Sequence, residues 1–469
     1  MSTKPNQSAG MAGEWNQRLA LVAGLLAALC FLKFGVPVVL PQAHTTPDVL
    51  NEWVSDQWPL PIGYLVLGAV LVYGFLYSRV PRDIPRWLLW APVAWLGWQV
   101  LSTLTSRSSG TATTVLLHFG GLVGCYYLGL LALSQIRDGR KFWIPVGIAL
   151  LIVLGKGFGQ QYGGMTSTAE FIESNEATGW TNLPPDELND LIKNNVVVKT
   201  NDTYSVVPEV LKRVRGGRIS GTLVYANALA GIILLSLPAI LVTIWNISEK
   251  LPKIGRMVLF GTFFYMGAAC LVWSGSKAGW LVAMAMGLAW VLAQPLPRQW
   301  KIGILALVLI GGAGGFWFKY SEKLKNPTSV AARFDYWSAA LKLTAERPIL
   351  GHGPGTFGSG YTRIKKPESE PTKLVHNDYL EQACDSGLPG FAFFLAWIGG
   401  CMCLVWKKAM NPGANALIQA MALGLIGWAL QSFVEFGLYV PAIAWTAMLM
   451  LGWLTGLSPV QSASTGSKP

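Results

Sequence analysis

Charge is scarce in this sequence. Of its 469 residues 13% are charged, with 24 acidic side chains and 4 histidines, against 52% hydrophobic residues and 21 Trp. A water-soluble surface of this size needs far more charge, which excludes an ordinary soluble globular protein. Cysteine is also sparse. Cys30, Cys125, Cys270, Cys401 and Cys403 lie inside apolar runs and Cys384 stands alone outside them, so neither a disulfide framework nor a zinc-ligand spacing is present. No internal repeat is evident. The first apolar run, 19–40, lacks a small-residue cleavage pattern and is followed by many others, so it reads as a first span and not as a removable leader.

What is abundant is uninterrupted hydrophobicity. Apolar runs stand near 19–40, 60–77, 87–106, 113–134, 142–156, 223–245, 256–274, 279–293, 301–318, 388–406, 416–434 and 440–456, the fifth and eighth being short. A bilayer core is crossed by roughly 17 to 25 helical residues, so the expected fold class is all-α and integral to a membrane, with about twelve transmembrane helices. The net charge of +12 does not point to nucleic acid, because the cations sit in short clusters between apolar runs, where they meet lipid headgroups.

Those clusters fall on alternate loops: Arg79, Arg82 and Arg86; Arg137, Arg140 and Lys141; Lys250, Lys253 and Arg256; Arg298 and Lys301; Lys407 and Lys408. Short cytoplasmic loops hold such an excess, whereas the first opposite loop has Asp48, Glu52 and Asp56 and no Lys or Arg. The expected layout is a cytoplasmic N-terminus (1–18), one polytopic domain (19–456) and a disordered cytoplasmic tail (457–469), with both termini inside. Two outer segments, 157–220 and 319–387, are longer than connections need to be, and such loops usually carry function.

The second long segment predicts short helices around a glycine-rich turn. Thr328 or Ser329 can cap VAARFDYWSAALKLTAE, in which Val330, Phe334, Trp337 and Leu341 share one face, Arg333 and Trp337 stand side by side, and Pro348 marks the end. GHGPGTFGSGY specifies an irregular backbone with exposed amides. In KLVHNDYLEQACDSGLPG a helix can begin at His376 or Asn377 and stop at Gly387. The positive end of that helix disfavours imidazolium, as a general base near neutral pH requires, and attracts anionic groups such as phosphate.

The stretch from Arg333 to Gly390, with RFDYWSAAL, RPILGHGPGTF and HNDYLEQACDSGLPG in that order, resembles the signature region of the O-antigen ligase superfamily, which includes O-antigen polymerases and protein O-oligosaccharyltransferases. RISGTLVYANALAG is similar to its R-x-x-G-x-x-x-x-x-N-x-x-A pattern, SGSKAGW to its S-R-G/A turn, and SFVEFGLYVPA to the acidic-residue-before-proline pattern of some members. The resemblance implies a membrane glycosyltransferase that takes a glycan from undecaprenyl diphosphate without a cofactor or required metal. It places the essential basic residues on Arg218 and Lys277 and the essential histidine on His376. Lys277 departs from the usual Arg, giving a point charge in place of a planar fork. Arg213 and Arg215 leave the register of the first site open.

The expectation is an inner-membrane enzyme with an outer, periplasmic active site. Arg218 and Lys277 hold a polyprenyl diphosphate, His376 deprotonates a hydroxyl acceptor, and the anomeric centre inverts. Arg333, Arg215, His352, Asn377, Tyr379 and Glu435 are candidate substrate contacts or orienting groups. The acceptor stays open among lipid A core, a lipid-linked glycan and protein. Three other readings compete. Arginines beside spans commonly anchor headgroups. A transporter or flippase would move an anionic lipid without chemistry, although its ionisable groups belong near the midplane. His352, His376, Asp378, Glu381 and Asp385 could ligate a metal, but at no standard spacing. His118 reads as a satisfied packing residue, and His44 has no assigned role.

Overall fold

The computed structural model describes the chain apart from residues 1–6, 41–49, 77, 137, 194–195, 201–202, 208–209, 211–214, 295, 321–327, 368, 412 and 459–469. His44, Asp48, Arg137, Arg213 and nearly all of the expected tail lie outside the described residues. Each apolar run is a helix: α1 (Gln7–Lys33), then, after a short α2 (Leu50–Ser55), α3 (Leu60–Phe75), α4 (Arg86–Leu104), α5 (Ser109–Leu131) and α6 (Arg140–Gly159). The first long segment follows with α7 (Met165–Ala177), α8 (Pro185–Lys193) and strands β1 (Val197–Thr200) and β2 (Thr203–Val206). Next come α9 (Ala226–Ile247), α10 (Lys253–Trp273), α11 (Lys277–Ala293) and α12 (Arg298–Tyr320). The second long segment holds α13 (Thr328–Glu346) and α14 (Phe357–Ile364), and α15 (Asp378–Ala409), α16 (Ala416–Gln431) and α17 (Pro441–Gly456) close the chain.

Among the described residues, six stretches are long and apolar enough to cross a membrane: Glu14–Lys33, Ser109–Gln135, Arg140–Ala177, Ala226–Ile247, Lys253–Trp273 and Asp378–Ala409. Leu60–Phe75, Lys277–Leu292, Ala416–Gln431 and Pro441–Gly456 are apolar but shorter. At about 1.5 Å per residue, sixteen helical residues rise about 24 Å, less than a bilayer core of roughly 30 Å. The chain is a multi-pass helical membrane protein whose helix order matches the twelve runs, while length and composition together support six complete crossings among the described residues.

The bundle is built around α17, every residue of which is buried. A helix apolar all round belongs in such a place. It lies against α5 closely enough that a β-carbon on Gly452 would stand 2.0 Å from the Tyr126 carbonyl oxygen, and one on Gly129 2.3 Å from that of Leu449. Small residues permit this backbone approach in membrane bundles. His118 on α5 is fully buried, with Nε2 2.9 Å from the Leu438 carbonyl and Nδ1 accepting from Trp445 Nε1 at 3.3 Å. That is the satisfied packing role expected of it.

The two long segments are more ordered than short helices alone. In the first, β-branched residues at 196–198 start an antiparallel hairpin with Val197 opposite Val206, a departure from an all-α chain. Ile172, Trp180, Val197 and Val206 form its own small core. In the second, α13 buries Tyr336, Ala339, Ala340 and Leu343 against Phe357, Tyr361, Val375 and Cys384. The apolar face expected from spacing is largely on the outside: Phe334 and Leu341 are exposed and Trp337 is half-buried. Alanines at 339 and 340 let the other side approach its neighbours closely, which decides the packing over hydrophobicity alone.

The glycine turn also differs from expectation. Its amides are not exposed: the His352 amide donates to the Cys384 carbonyl (3.0 Å), that of Gly353 to the Asp385 carbonyl (2.9 Å) and that of Gly355 to Asp385 Oδ2 (2.9 Å). Buried amides seek acceptors, and the bend in α15 supplies them. That helix begins where anticipated, with Asn377 Oδ1 accepting from the amides of Tyr379 and Leu380 at 3.0 Å. It breaks at Gly387 (φ 69°), just before Pro389, and the Leu388 amide donates instead to the Pro348 carbonyl at 2.8 Å.

Candidate functional site

Four connections meet at one end of the bundle: the entry to α9, the α10–α11 turn, the entry to α15 and the α16–α17 turn. On the last of these, Glu435 is 5% exposed. Its Oε1 accepts from Arg333 Nη2 at 2.6 Å and from Asn227 Nδ2 at 2.7 Å. Its Oε2 lies 3.5 Å from His376 Nδ1, an ion-pair separation without well-aligned hydrogen-bond geometry. Burial by itself would raise the Glu435 carboxyl, but His376, Arg333 and the Asn227 amide outweigh it and hold the group below its usual value.

Arg333 reaches this place from α13 and also donates through Nε to the Val434 carbonyl at 3.2 Å. Arg218 approaches from the other side, its Nη2 donating to Asn227 Oδ1 at 2.6 Å and its Nε to the Ser274 carbonyl at 2.7 Å. Gly275 (φ 60°) makes the second bond possible, since a β-carbon there would stand 3.0 Å from that Nε. Arg218 is exposed as a residue, yet crowding of its guanidinium lowers it from its usual value, opposed by the Glu435 charge and reinforced by that of Arg333. It stays a cation at neutral pH. Among the described residues it makes no ion pair, whereas Arg333 does.

His376 precedes the Asn377 cap with φ 56°, a left-handed backbone that costs a non-glycine residue about 1 to 3 kcal/mol. Its ring stacks on Tyr336 (5.8 Å between centroids) and meets Phe436 edge-on (4.7 Å). Trp337 Nε1 lies 3.5 Å from its carbonyl, and the next amide but one, Asp378, donates to the Ser432 carbonyl at 2.8 Å. The strained residue is thus held from both sides. The partly open pocket beside Glu435, lined by Asn227, Gln431, Ser432 and Phe436, has about 20 Å³ of space, room for a single water. Arg218 is exposed beside it.

The structure therefore brings Arg218, Arg333, His376 and Glu435 together, and it separates Arg215 from them: Arg215 Nε pairs with Glu173 on α7 at 3.1 Å, both exposed. Of the two register candidates among the described residues, Arg218 is the one at the cluster. Lys277 is the exposed first residue of α11, directly after the Ser276 cap and three positions beyond the carbonyl that holds Arg218. Tyr379 donates its hydroxyl to the Ala429 carbonyl at 3.0 Å, so it and Asn377 brace the helix entry. His352 Nε2 lies 2.9 Å from the Leu343 carbonyl, away from the cluster, and burial lowers its imidazole from the usual value.

The acidic residues of α15 have separate structural ties. Asp378 Oδ2 accepts from the Leu438 amide (3.0 Å), Glu381 Oε2 from the Val375 amide (2.5 Å), and Asp385 Oδ2 from the Gly355 amide and the Tyr439 hydroxyl. Among the described residues no three His, Cys, Asp or Glu side chains gather as a metal-binding group. Sequence reasoning gave no role to Asn227, the Asn of the R-x-x-G-x-x-x-x-x-N-x-x-A pattern, which bridges Arg218 to Glu435, and it passed over the aromatic pair Tyr336 and Phe436. The signal for Asn227 was that pattern itself, which sets it nine positions after Arg218 at the start of an apolar run.

These features define a class: a multi-pass helical membrane protein with a solvent-open, predominantly cationic site at one end of its bundle. Residues 261–395 match the family model described as O-antigen ligase, which supports membership of the O-antigen ligase superfamily. The matched stretch contains Lys277, Arg333 and His376 and leaves Arg218, Asn227 and Glu435 outside it. A protein of Haemophilus influenzae, described only as uncharacterized, is 29% identical over 142 residues, which cover 25% of this chain. The match spans 36% of the length of that curated relative.

Proposed function

We propose that this protein is a membrane glycosyltransferase of the O-antigen ligase or polymerase type, which moves a glycan from a polyprenyl-diphosphate donor to a hydroxyl acceptor at the outer face of a bacterial inner membrane. The observation that carries the reading is convergence. Residues near 218, 333, 376 and 435, far apart in the sequence, meet around the single carboxylate of Glu435. The family match, which covers residues 261–395 and so includes Arg333 and His376, points the same way.

In this reading Glu435 favours the His376 tautomer with its proton on Nδ1, leaving the Nε2 lone pair to take the acceptor proton. The acceptor oxygen bonds to the anomeric carbon as the bond from that carbon to the diphosphate oxygen breaks. Attack opposite the leaving group inverts the centre. The departing diphosphate gains negative charge, which Arg218 and Lys277 stabilise. Arg333 offsets Glu435, and His376 carries the proton away. No step requires a metal. All twelve apolar helices then count as crossings, the shorter ones meeting a locally thinned or protein-lined region.

The test is transfer by purified protein in detergent, with excess chelator and no second compartment. The expected result is an acceptor that gains the mass of the glycan. Donor left unconsumed with every acceptor class (lipid A core, lipid-linked glycan and protein), by a protein that moves the lipid across a bilayer, would establish the transport reading instead.

A further inference from the structure

We infer that Asn227 is a positioning residue that keeps the charge of Arg218 available for an anionic ligand by holding it off Glu435. The inference rests on the proposed role of Arg218 as a diphosphate contact. Glu435 is the buried carboxylate nearest the cluster, and an arginine that reaches it forms an ion pair, as Arg333 does at 2.6 Å. Such pairing would spend the charge that an incoming diphosphate must meet. Asn227 stands between the two groups. Its Oδ1 accepts from Arg218 at 2.6 Å and its Nδ2 donates to Glu435 at 2.7 Å.

Only one amide orientation fits these partners, because Arg218 offers donors alone and ionised Glu435 acceptors alone. The amide is therefore a neutral link that satisfies both neighbours and adds no charge. The other acceptor of Arg218, the Ser274 carbonyl at 2.7 Å, is neutral as well. The guanidinium is fixed by two uncharged acceptors on a side chain that remains exposed. Asn227 itself is anchored by its backbone, whose carbonyl accepts from Gln431 Nε2 at 3.0 Å on the helix that leads to Glu435. Aspartate at this position could not donate to Glu435 and would neutralise Arg218. Alanine would leave Arg218 able to turn towards the carboxylate.

The experiment measures binding of inorganic diphosphate to the full-length protein in detergent, by titration, for Arg218→Ala, Asn227→Asp, Asn227→Ala, Glu435→Gln and the double variant Asn227→Ala/Glu435→Gln. Arg218→Ala tests the underlying reading: unchanged binding would remove Arg218 from the anion site and end that reading. With that control lowered, Asn227→Asp and Asn227→Ala should each weaken binding by about tenfold, the size expected for coupled neighbours. The aspartate variant should recover as the pH falls and the new carboxyl is protonated, and the alanine variant should not. In the Glu435→Gln background, where the competing charge is gone, adding Asn227→Ala should cost little further affinity. Additive losses in the double variant, or parental binding in both Asn227 variants alongside a weakened Arg218→Ala, would overturn the inference while leaving the role of Arg218 intact.

Discussion

Replacing Glu435 by Gln gives the sharpest test of the site, because the change keeps the shape and alters one direction of hydrogen bonding. In the parent, Oε1 receives donors from Arg333 and Asn227, and Oε2 faces Nδ1 of His376 at 3.5 Å. An amide in the same place must keep its oxygen towards the two donors, so its NH₂ turns to the histidine. Nδ1 then has to accept, and the ring proton moves to Nε2, the atom that should take the acceptor proton. A base in the wrong tautomer loses the benefit of general base catalysis, about 10² to 10⁴ in rate. Losing the charge on one side of a buried pair also costs stability, on the order of 1 to 3 kcal/mol where the hydrogen bond survives.

The assay is single-turnover glycan transfer with donor titration, alongside thermal unfolding in detergent. We expect the rate constant to fall by that factor of about 10² to 10⁴ while donor affinity changes little. Stability supplies an independent check. The Glu435 carboxyl is held below its unfolded value near 4.5, so its contribution is complete above that pH and is lost as the pH falls through the lower folded value. Glu435→Gln should remove that acid-dependent part of the stability curve. Parental transfer by a variant that folds and binds donor would refute the tautomer argument, whatever the stability data show.

Three further outcomes follow from the same geometry. His376→Ala should leave donor binding largely intact and slow transfer by roughly 10² to 10⁴, and a matching loss of donor affinity would assign the histidine to binding instead. Lys277→Ala should weaken both donor binding and rate, whereas Lys277→Arg should keep substantial activity because the charge is retained; parental behaviour of the alanine variant would remove Lys277 from the site. Single cysteines at Glu187 in a background without the native ones should react with an impermeant thiol reagent in intact spheroplasts, and ones at Arg82 or Lys253 should not, with the reverse pattern inverting the orientation.

The helix order was legible because apolar length is a one-dimensional signal that survives without any knowledge of neighbours. The start of α15 and its break were legible for a similar reason: Asn377 as a cap and the Gly387–Pro389 stop are local chemistry. What stayed hidden depends on contacts between distant segments. The exposed side of α13 could not be read, since small alanines at 339 and 340 matter only once α14 and α15 are known to lie against them. The amides of the glycine turn looked free because their acceptors, at Cys384 and Asp385, come some thirty residues later. Arg215 and Arg218 were indistinguishable in a cluster of cations until one met Glu173 and the other Asn227.

The strongest argument against a merely structural cluster is that it is uneconomical as structure. A buried ion pair that serves stability is balanced and well aligned, and even then a well-packed apolar substitute is often as good. Here one carboxylate faces Arg333, His376 and, through Asn227, Arg218, so positive charge is in excess beside the exposed Arg218. His376 is further held in a left-handed backbone that a glycine or asparagine would adopt at less cost. Excess charge and local strain both lower stability, and both are located at the same side chains. They are accounted for together if an anionic group completes the charge balance and the fixed imidazole addresses what that group carries. Removing the excess by Arg218→Gln should then raise the unfolding temperature of the free protein while abolishing the stabilisation that added diphosphate gives, and a fall in both would mean that Arg218 is there to hold the fold.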